Sequence, residues 1–198
     1  MEELRIVYID DQLDYSLERY LDEDYSNQEY TIVYSEILFK PECGYESLIR
    51  HPDVKSANII FIDSRLFENG RVTAGKFSGE EFKIILKKYY PFIEVIVITQ
   101  NEPDPEMGTI SKYNSNCGRS AFEYYNDILP HYIEEAIRNL RIYRKIAEKL
   151  HNNDSWETLL KEKILNSLNG VGTYDELTKT DIDDLIHTFK EIQGKIDG

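Results

Sequence analysis

The stretch Leu4–Leu21, LRIVYIDDQLDYSLERYL, decides how the chain folds. Leu4 to Ile9 is a short apolar run rich in β-branched residues, the pattern of a buried strand. It stops on Asp10 and Asp11, with Asp14 close behind. From Asp14 to Leu21 the period changes, and Tyr15, Leu17, Tyr20 and Leu21 fall on or near one helical face. Two neighbouring carboxylates repel each other and lose solvation when partly buried. Either they lie in a wet turn, or a positive group belongs between them.

The alternation repeats further along. Tyr30–Tyr34 reads as a second strand and Glu42–Arg50 as a weaker helix ended by His51-Pro52. Ala57–Ile62 is a third, strongly apolar strand that ends on Asp63. After the loop that runs from Ser64 to Ser78, Gly79–Tyr90 is helical, with Phe82, Ile85, Leu86 and Tyr89 on one face and Pro91 closing it. Glu94–Ile98 is a fourth strand, ending on Thr99. Buried strands alternating with amphipathic helices predict a doubly wound parallel α/β sheet with helices on both faces. In such sheets the functional crevice lies at the carboxyl ends of the strands, here marked by Asp10, Asp11, Asp63 and Thr99.

Beyond Thr99 the pattern weakens. Residues 100–120 hold two prolines, two glycines and little helical period, so the expected fourth helix is short, distorted or absent. Ala121–Tyr125 serves as a fifth strand. A long helix then runs from about Pro130, a favourable first-turn residue, to about Leu150, with an apolar seam Ile133, Ala136, Leu140, Tyr143, Ala147 and Leu150. It is longer than the sheet needs. Residues 151–198 form a helical appendage: Trp156–Leu168, a capping box at Thr173–Glu176, and Asp181–Ile192. The chain thus divides into a five-stranded domain over 1–150 with an extended last helix, and an appendage over 151–198 for dimerisation or partner docking.

Composition narrows the function. A 198-residue chain with 41% apolar residues can bury a sizeable core. A net charge of −14 argues against binding nucleic acid by neutralising phosphates, and suits a basic partner or a divalent cation. No apolar run reaches membrane-spanning length, and the acidic start carries no export signal, so a cytoplasmic protein is expected. Cys43 and Cys117 are far apart and form no CxxC pair, which predicts reduced structural thiols. The four histidines are scattered, and Asn169–Gly172 (NGVG) lacks the Gly-Lys-Ser/Thr of a phosphate loop.

Over Leu4–Leu150 these residues resemble the receiver domains of bacterial response regulators. That family carries an acidic pair after strand one, an aspartate after strand three, Thr or Ser after strand four and Lys after strand five. Asp10 and Asp11 match the pair, Asp63 the phosphoacceptor and Thr99 the hydroxyl switch. Tyr124 falls where an aromatic switch often stands, and Ser78–Phe82 (SGEEF) looks like the family's glycine-containing helix entry, displaced by an insertion. The resemblance implies Mg²⁺ held by Asp10, Asp11 and Asp63, with Asp63 also the nucleophile, because a carboxylate attacks a phosphoryl donor only when the incoming negative charge is neutralised. It also implies a partner histidine kinase as donor, and a signalling module rather than a metabolic enzyme.

The chain departs from that pattern at the lysine. With Ala121–Tyr125 as strand five, Asp127 falls at the lysine position. Aligned on Gly118, Phe122 takes the aromatic position and Tyr125 the lysine's. Lys112 could reach back from the irregular loop. The absent lysine, the missing helix four and the long loops open an alternative, a phosphorylation-independent pseudo-receiver adaptor. A Mg²⁺-dependent phosphohydrolase is disfavoured because Asp10-Asp11-Gln12 is not the DxD of such enzymes. A DNA-binding regulator is disfavoured by charge: residues 151–198 faintly resemble a winged-helix module but carry five Lys/Arg against ten Asp/Glu. Output is expected through protein contacts, including a homodimer through residues 130–150 and the appendage.

Overall fold

A computed structural model describes residues 1–67, 78–104, 108–152, 162 and 164–166. Five parallel strands form one sheet: β1 (Glu2–Asp10), β2 (Tyr30–Leu38), β3 (Ile59–Asp63), β4 (Glu94–Thr99) and β5 (Thr109–Ser111), in the order β2-β1-β3-β4-β5. This is one of the two common doubly wound orders. The helices are α1 (Tyr15–Arg19), α2 (Tyr45–Arg50), α3 (Pro52–Ser56), α4 (Gly79–Tyr89) and α5 (Ala121–His151).

The central strands are apolar over Ile6–Ile9, Ile59–Ile62 and Val95–Ile98 because both of their faces are covered there. Val7 and Ile9 of β1, Ile60 and Ile62 of β3, and Val95 and Val97 of β4 face Leu48, Val54, Phe82, Ile85 and Leu86 of α2, α3 and α4. Their alternates, Ile6 and Tyr8, Ile59 and Phe61, and Ile96 and Ile98, face Leu17 and Leu21 on one side and Tyr125, Leu129 and Ile133 of α5 on the other. The two cores contribute most of the folding free energy, at about 25 cal/mol per Å² of apolar surface buried.

Several boundaries differ from the sequence expectation. The Asp14–Leu21 helix is α1 followed by a π-helical turn, Tyr20–Asp24, in which Tyr20 and Leu21 are turned into the core. Asp14 caps α1 by accepting from the N–H groups of Ser16 and Leu17. β2 continues to Leu38, paired with Asp10. The weaker helix is three pieces: a 3₁₀ turn at Pro41–Cys43, α2, and α3, which Pro52 starts at its first turn while His51 caps it.

The largest correction concerns strand five. Ala121–Tyr125 is not a strand but the first turns of α5. Ser120 and Glu123 form a reciprocal capping box that starts the helix there, so Pro130 lies inside it rather than at its beginning. Strand five is Thr109–Ser111, and no helix lies between β4 and β5 among the described residues. Gly108, at φ 65°, makes the turn into β5 in a conformation that favours glycine.

The distal half of α5 reaches the amino edge of the sheet. Tyr143 donates to Glu94 at 2.9 Å, Lys87 pairs with the same carboxylate at 2.8 Å, and Phe92 packs edge-on to Tyr143. Arg141 pairs with Glu29, and Arg144 with Glu2. Cys43 and Cys117 are free and exposed, so they are surface thiols rather than core packing. No described helix is long and apolar enough to cross a membrane. The helices expected over 151–198 lie outside the described residues, apart from a few helical positions.

Candidate functional site

Strand parity assembles the site. Side chains alternate faces along a strand, so Tyr8 and Asp10, Phe61 and Asp63, and Ile110 and Lys112 all project to the α1–α5 side. The register brings the ends of β1 and β3 side by side, with Ile9 opposite Ile62. Asp10, Asp11 and Asp63 consequently offer carboxylate oxygens within 4.8 Å of one another, Asp10 and Asp63 buried and Asp11 half-buried. Three hard oxygen donors at this spacing suit a divalent cation such as Mg²⁺.

A lysine lies among them. Lys112, the residue after β5, is 6% exposed. Its Nζ lies 2.6 Å from Asp10 Oδ2 and 2.7 Å from Asp63 Oδ1. Its backbone N–H donates to the Thr99 carbonyl at 2.7 Å, which ties the end of β5 to the end of β4. The expectation of Asp127 or Tyr125 at the lysine's place is therefore corrected. Asp127 is exposed on α5 and pairs with Arg119 at 3.0 Å, while Tyr125 is buried beneath the loop after β5. Tyr124 also stands on α5, not on a strand, and its hydroxyl donates to the Ser111 carbonyl at 3.0 Å.

The remaining oxygens are held by strand-end backbone. Gln12 N–H donates to Asp10 Oδ1 at 3.0 Å, and Arg65 N–H donates to Asp63 Oδ2 at 2.8 Å. Tyr8 donates its hydroxyl to Asp10 Oδ2. Thr99, which is buried, accepts from Asn101 N–H at 3.1 Å and from the Ser64 hydroxyl at 3.3 Å. Its place at the end of β4, beside β3, matches the strand end at which sequence placed it.

α4 packs directly on this edge. Gly79 N–H donates to the Ser64 carbonyl at 2.8 Å. A Cβ at Gly79 would stand 2.3 Å from the Asp63 carbonyl oxygen, closer than any side chain can approach. The glycine is needed for this contact, and Ser78 with Glu81 caps the helix that starts there.

Electrostatics follow from two buried acids sharing one cation. Burial raises the Asp63 pKa, and Asp10 adds to that, while the hydrogen bond and charge of Lys112 pull it down. Burial opposes the charge on Lys112, but its bonds to Asp10 and Asp63 outweigh burial and raise its pKa. The lysine is held charged, and Asp63 remains undercompensated, which favours a second cation.

No family model and no curated protein matches the chain. Among solved structures it is similar to the crystal structure of a two-component transcriptional regulator AraC from Clostridium phytofermentans. The identity is 16% and the TM-score 0.40, over 72% of this chain and 98% of that one.

Lys112 was visible in the sequence only as a residue of an irregular loop. Its signal was the three-residue alternation Thr-Ile-Ser after a turn glycine, with the lysine next. Tyr8 gave no signal beyond an aromatic in a strand.

Proposed function

We propose that this chain is a receiver-like signalling module that accepts a phosphoryl group on Asp63. The observation that carries the reading is the convergence of Asp10, Asp11, Asp63 and a buried Lys112 from three separate strand ends on one sheet edge. Asp10, Asp11 and Asp63 would hold Mg²⁺, whose charge when bound would offset that of the incoming phosphoryl group.

The chain's own groups supply the rest. A carboxylate oxygen of Asp63 forms the new bond to phosphorus as the bond from phosphorus to the donor's nitrogen or oxygen breaks, the electron pair leaving with the donor. Lys112 exchanges its contact with Asp63 for one with a phosphoryl oxygen. The Thr99 hydroxyl hydrogen-bonds another phosphoryl oxygen after transfer. The alternative of a phosphorylation-independent adaptor drew on an absent lysine, a missing helix four and long loops; the place of Lys112 speaks against the first of these, while no helix lies between β4 and β5 among the described residues.

A histidine kinase is the proposed donor, and output runs through protein contacts of α5 and the segment beyond it, including self-association. The acidic charge favours protein partners over nucleic acid. The test is to incubate the full chain with acetyl phosphate and Mg²⁺ and read the intact mass. Addition of one phosphoryl group, lost in Asp63→Asn and on chelation, is expected. An unlabelled wild type, or equal labelling of D63N, would overturn the reading.

A further inference from the structure

Two buried tyrosines take no part in the chemistry above, yet both hydroxyls are committed on each side. Tyr8 donates its O–H to Asp10 Oδ2, and its oxygen accepts the Asp14 N–H at 3.1 Å. Asp14 is the cap of α1, using Oδ1. Its other oxygen, Oδ2, accepts the Tyr125 O–H at 3.3 Å. The Tyr125 oxygen accepts the N–H of Tyr113 at 2.9 Å, and Tyr113 is the residue after Lys112. Lys112 donates to Asp10 Oδ2, the oxygen that Tyr8 also reaches. The path is a ring: Lys112, Asp10, Tyr8, Asp14, Tyr125, Tyr113, and through the backbone to Lys112 again.

Each hydroxyl in the ring uses one donor and one acceptor. Loss of either oxygen leaves a carboxylate oxygen short of a donor and a backbone N–H short of an acceptor, in a region where unpaired groups are costly. We infer that Tyr8 and Tyr125 are positioning residues for the acidic site: Tyr8 fixes Asp10, and Tyr125, which touches none of the three clustered carboxylates, fixes Lys112 through Tyr113. This rests on the reading of Asp10, Asp63 and Lys112 as the phosphoryl-accepting site. By linkage, an event that draws Lys112 away from Asp10 is felt at the cap of α1 and in the first turns of α5, and the reverse.

The clean perturbation is Tyr125→Phe. The ring of Tyr125 packs among Tyr20, Tyr113 and Tyr124 and keeps those neighbours when only the oxygen is removed. Tyr90→Phe is the control, since that hydroxyl donates to the Ile49 carbonyl at 2.6 Å on the other face of the sheet. Mg²⁺ affinity is measured by calorimetry on the full-length chain, with folding checked by circular dichroism. Y125F loosens Lys112, the cation that shares Asp10 and Asp63 with the metal, and is expected to shift Mg²⁺ affinity about tenfold, with Y90F within about twofold of wild type. Equal shifts in both variants, or Y125F within about twofold of wild type, would overturn the inference.

A second arm needs no metal. Amide hydrogen exchange is read in Lys112→Met. A loss of protection at the Tyr113 and Asp14 amides greater than in the Tyr90 region supports the ring, and a loss no greater there than in the Tyr90 region overturns it. A wild type that neither binds Mg²⁺ nor takes a phosphoryl group overturns the site reading alone, and the exchange arm then decides the ring.

Discussion

Replacing Lys112 with methionine removes a cation that touches both buried acids while keeping most of the side-chain volume. Asp10 loses its partner at 2.6 Å and Asp63 loses its partner at 2.7 Å, and both carboxylates stay buried. Breaking a buried pair by deleting one member costs about 3–5 kcal/mol, because the remaining charge is left uncompensated. For a domain of this size each kcal/mol is worth about 2–4 °C in Tm, so a fall on the order of 6–20 °C is expected at pH 7.5 in chelator. Two rescues follow from the same cause. Lowering the pH protonates Asp63, whose folded-state pKa is raised and loses the counteracting pull of the lysine, so K112M recovers stability relative to wild type as the pH falls. Millimolar Mg²⁺ replaces the missing charge and recovers more Tm in K112M than in wild type. The assay is urea and thermal unfolding across pH, with and without the metal. A K112M protein within about 1 kcal/mol of wild type at pH 7.5 in chelator would refute the placement of the lysine between the acids.

Gly79→Ala should destabilise by about 1–3 kcal/mol in urea unfolding, because the added methyl meets the Asp63 carbonyl and α4 or β3 must shift. The folded-state pKa of Asp63 is raised, so its contribution to metal-free stability is greatest below the ordinary carboxylate range and is lost as the pH rises through the folded value; Asp63→Asn should flatten that part of the stability–pH curve. The raised pKa of Lys112 means that its pairing survives until the pH passes beyond the ordinary lysine range. Tyr143→Phe should cost about 1 kcal/mol, seen in thermal unfolding, by removing the hydrogen bond that ties distal α5 to Glu94. Thr99→Ala should leave Mg²⁺ affinity unchanged while slowing phosphoryl transfer from acetyl phosphate, measured by the rate of mass gain.

The parts of the fold that were legible in sequence are those with two buried faces. β1, β3 and β4 carry uninterrupted apolar runs, and their ends delivered Asp10, Asp11, Asp63 and Thr99 to one edge. β5 was missed because only one of its faces meets a core: Thr-Ile-Ser alternates, and a single isoleucine is too little apolar signal for a strand. Tyr124 and Tyr125 then attracted the strand reading, although Ser120 and Glu123 already spelled a capping box. Pro130 drew the helix start too far along, since a proline inside a long helix is indistinguishable by composition from one that begins it. With strand five misplaced, the lysine had no strand to follow, and an anion seemed to stand in its place. Tyr8 and Tyr125 could not have been found from spacing, because their partners lie on elements whose juxtaposition only the fold supplies.

The short link over residues 100–108 has a consequence for how the domain assembles. Parallel neighbours ordinarily require a crossover of a dozen residues or more, and the entropy of closing a loop grows with its length. β5 therefore joins β4 as a nearly local event, and Lys112 travels with it. Asp10 and Asp63 meet only when distant β1 and β3 align, Ile6 against Ile59. Loop-closure entropy alone predicts that the strand carrying the attracting group is placed before the repelling partners meet, an order that would spare the collapsing chain a patch of unbalanced negative charge.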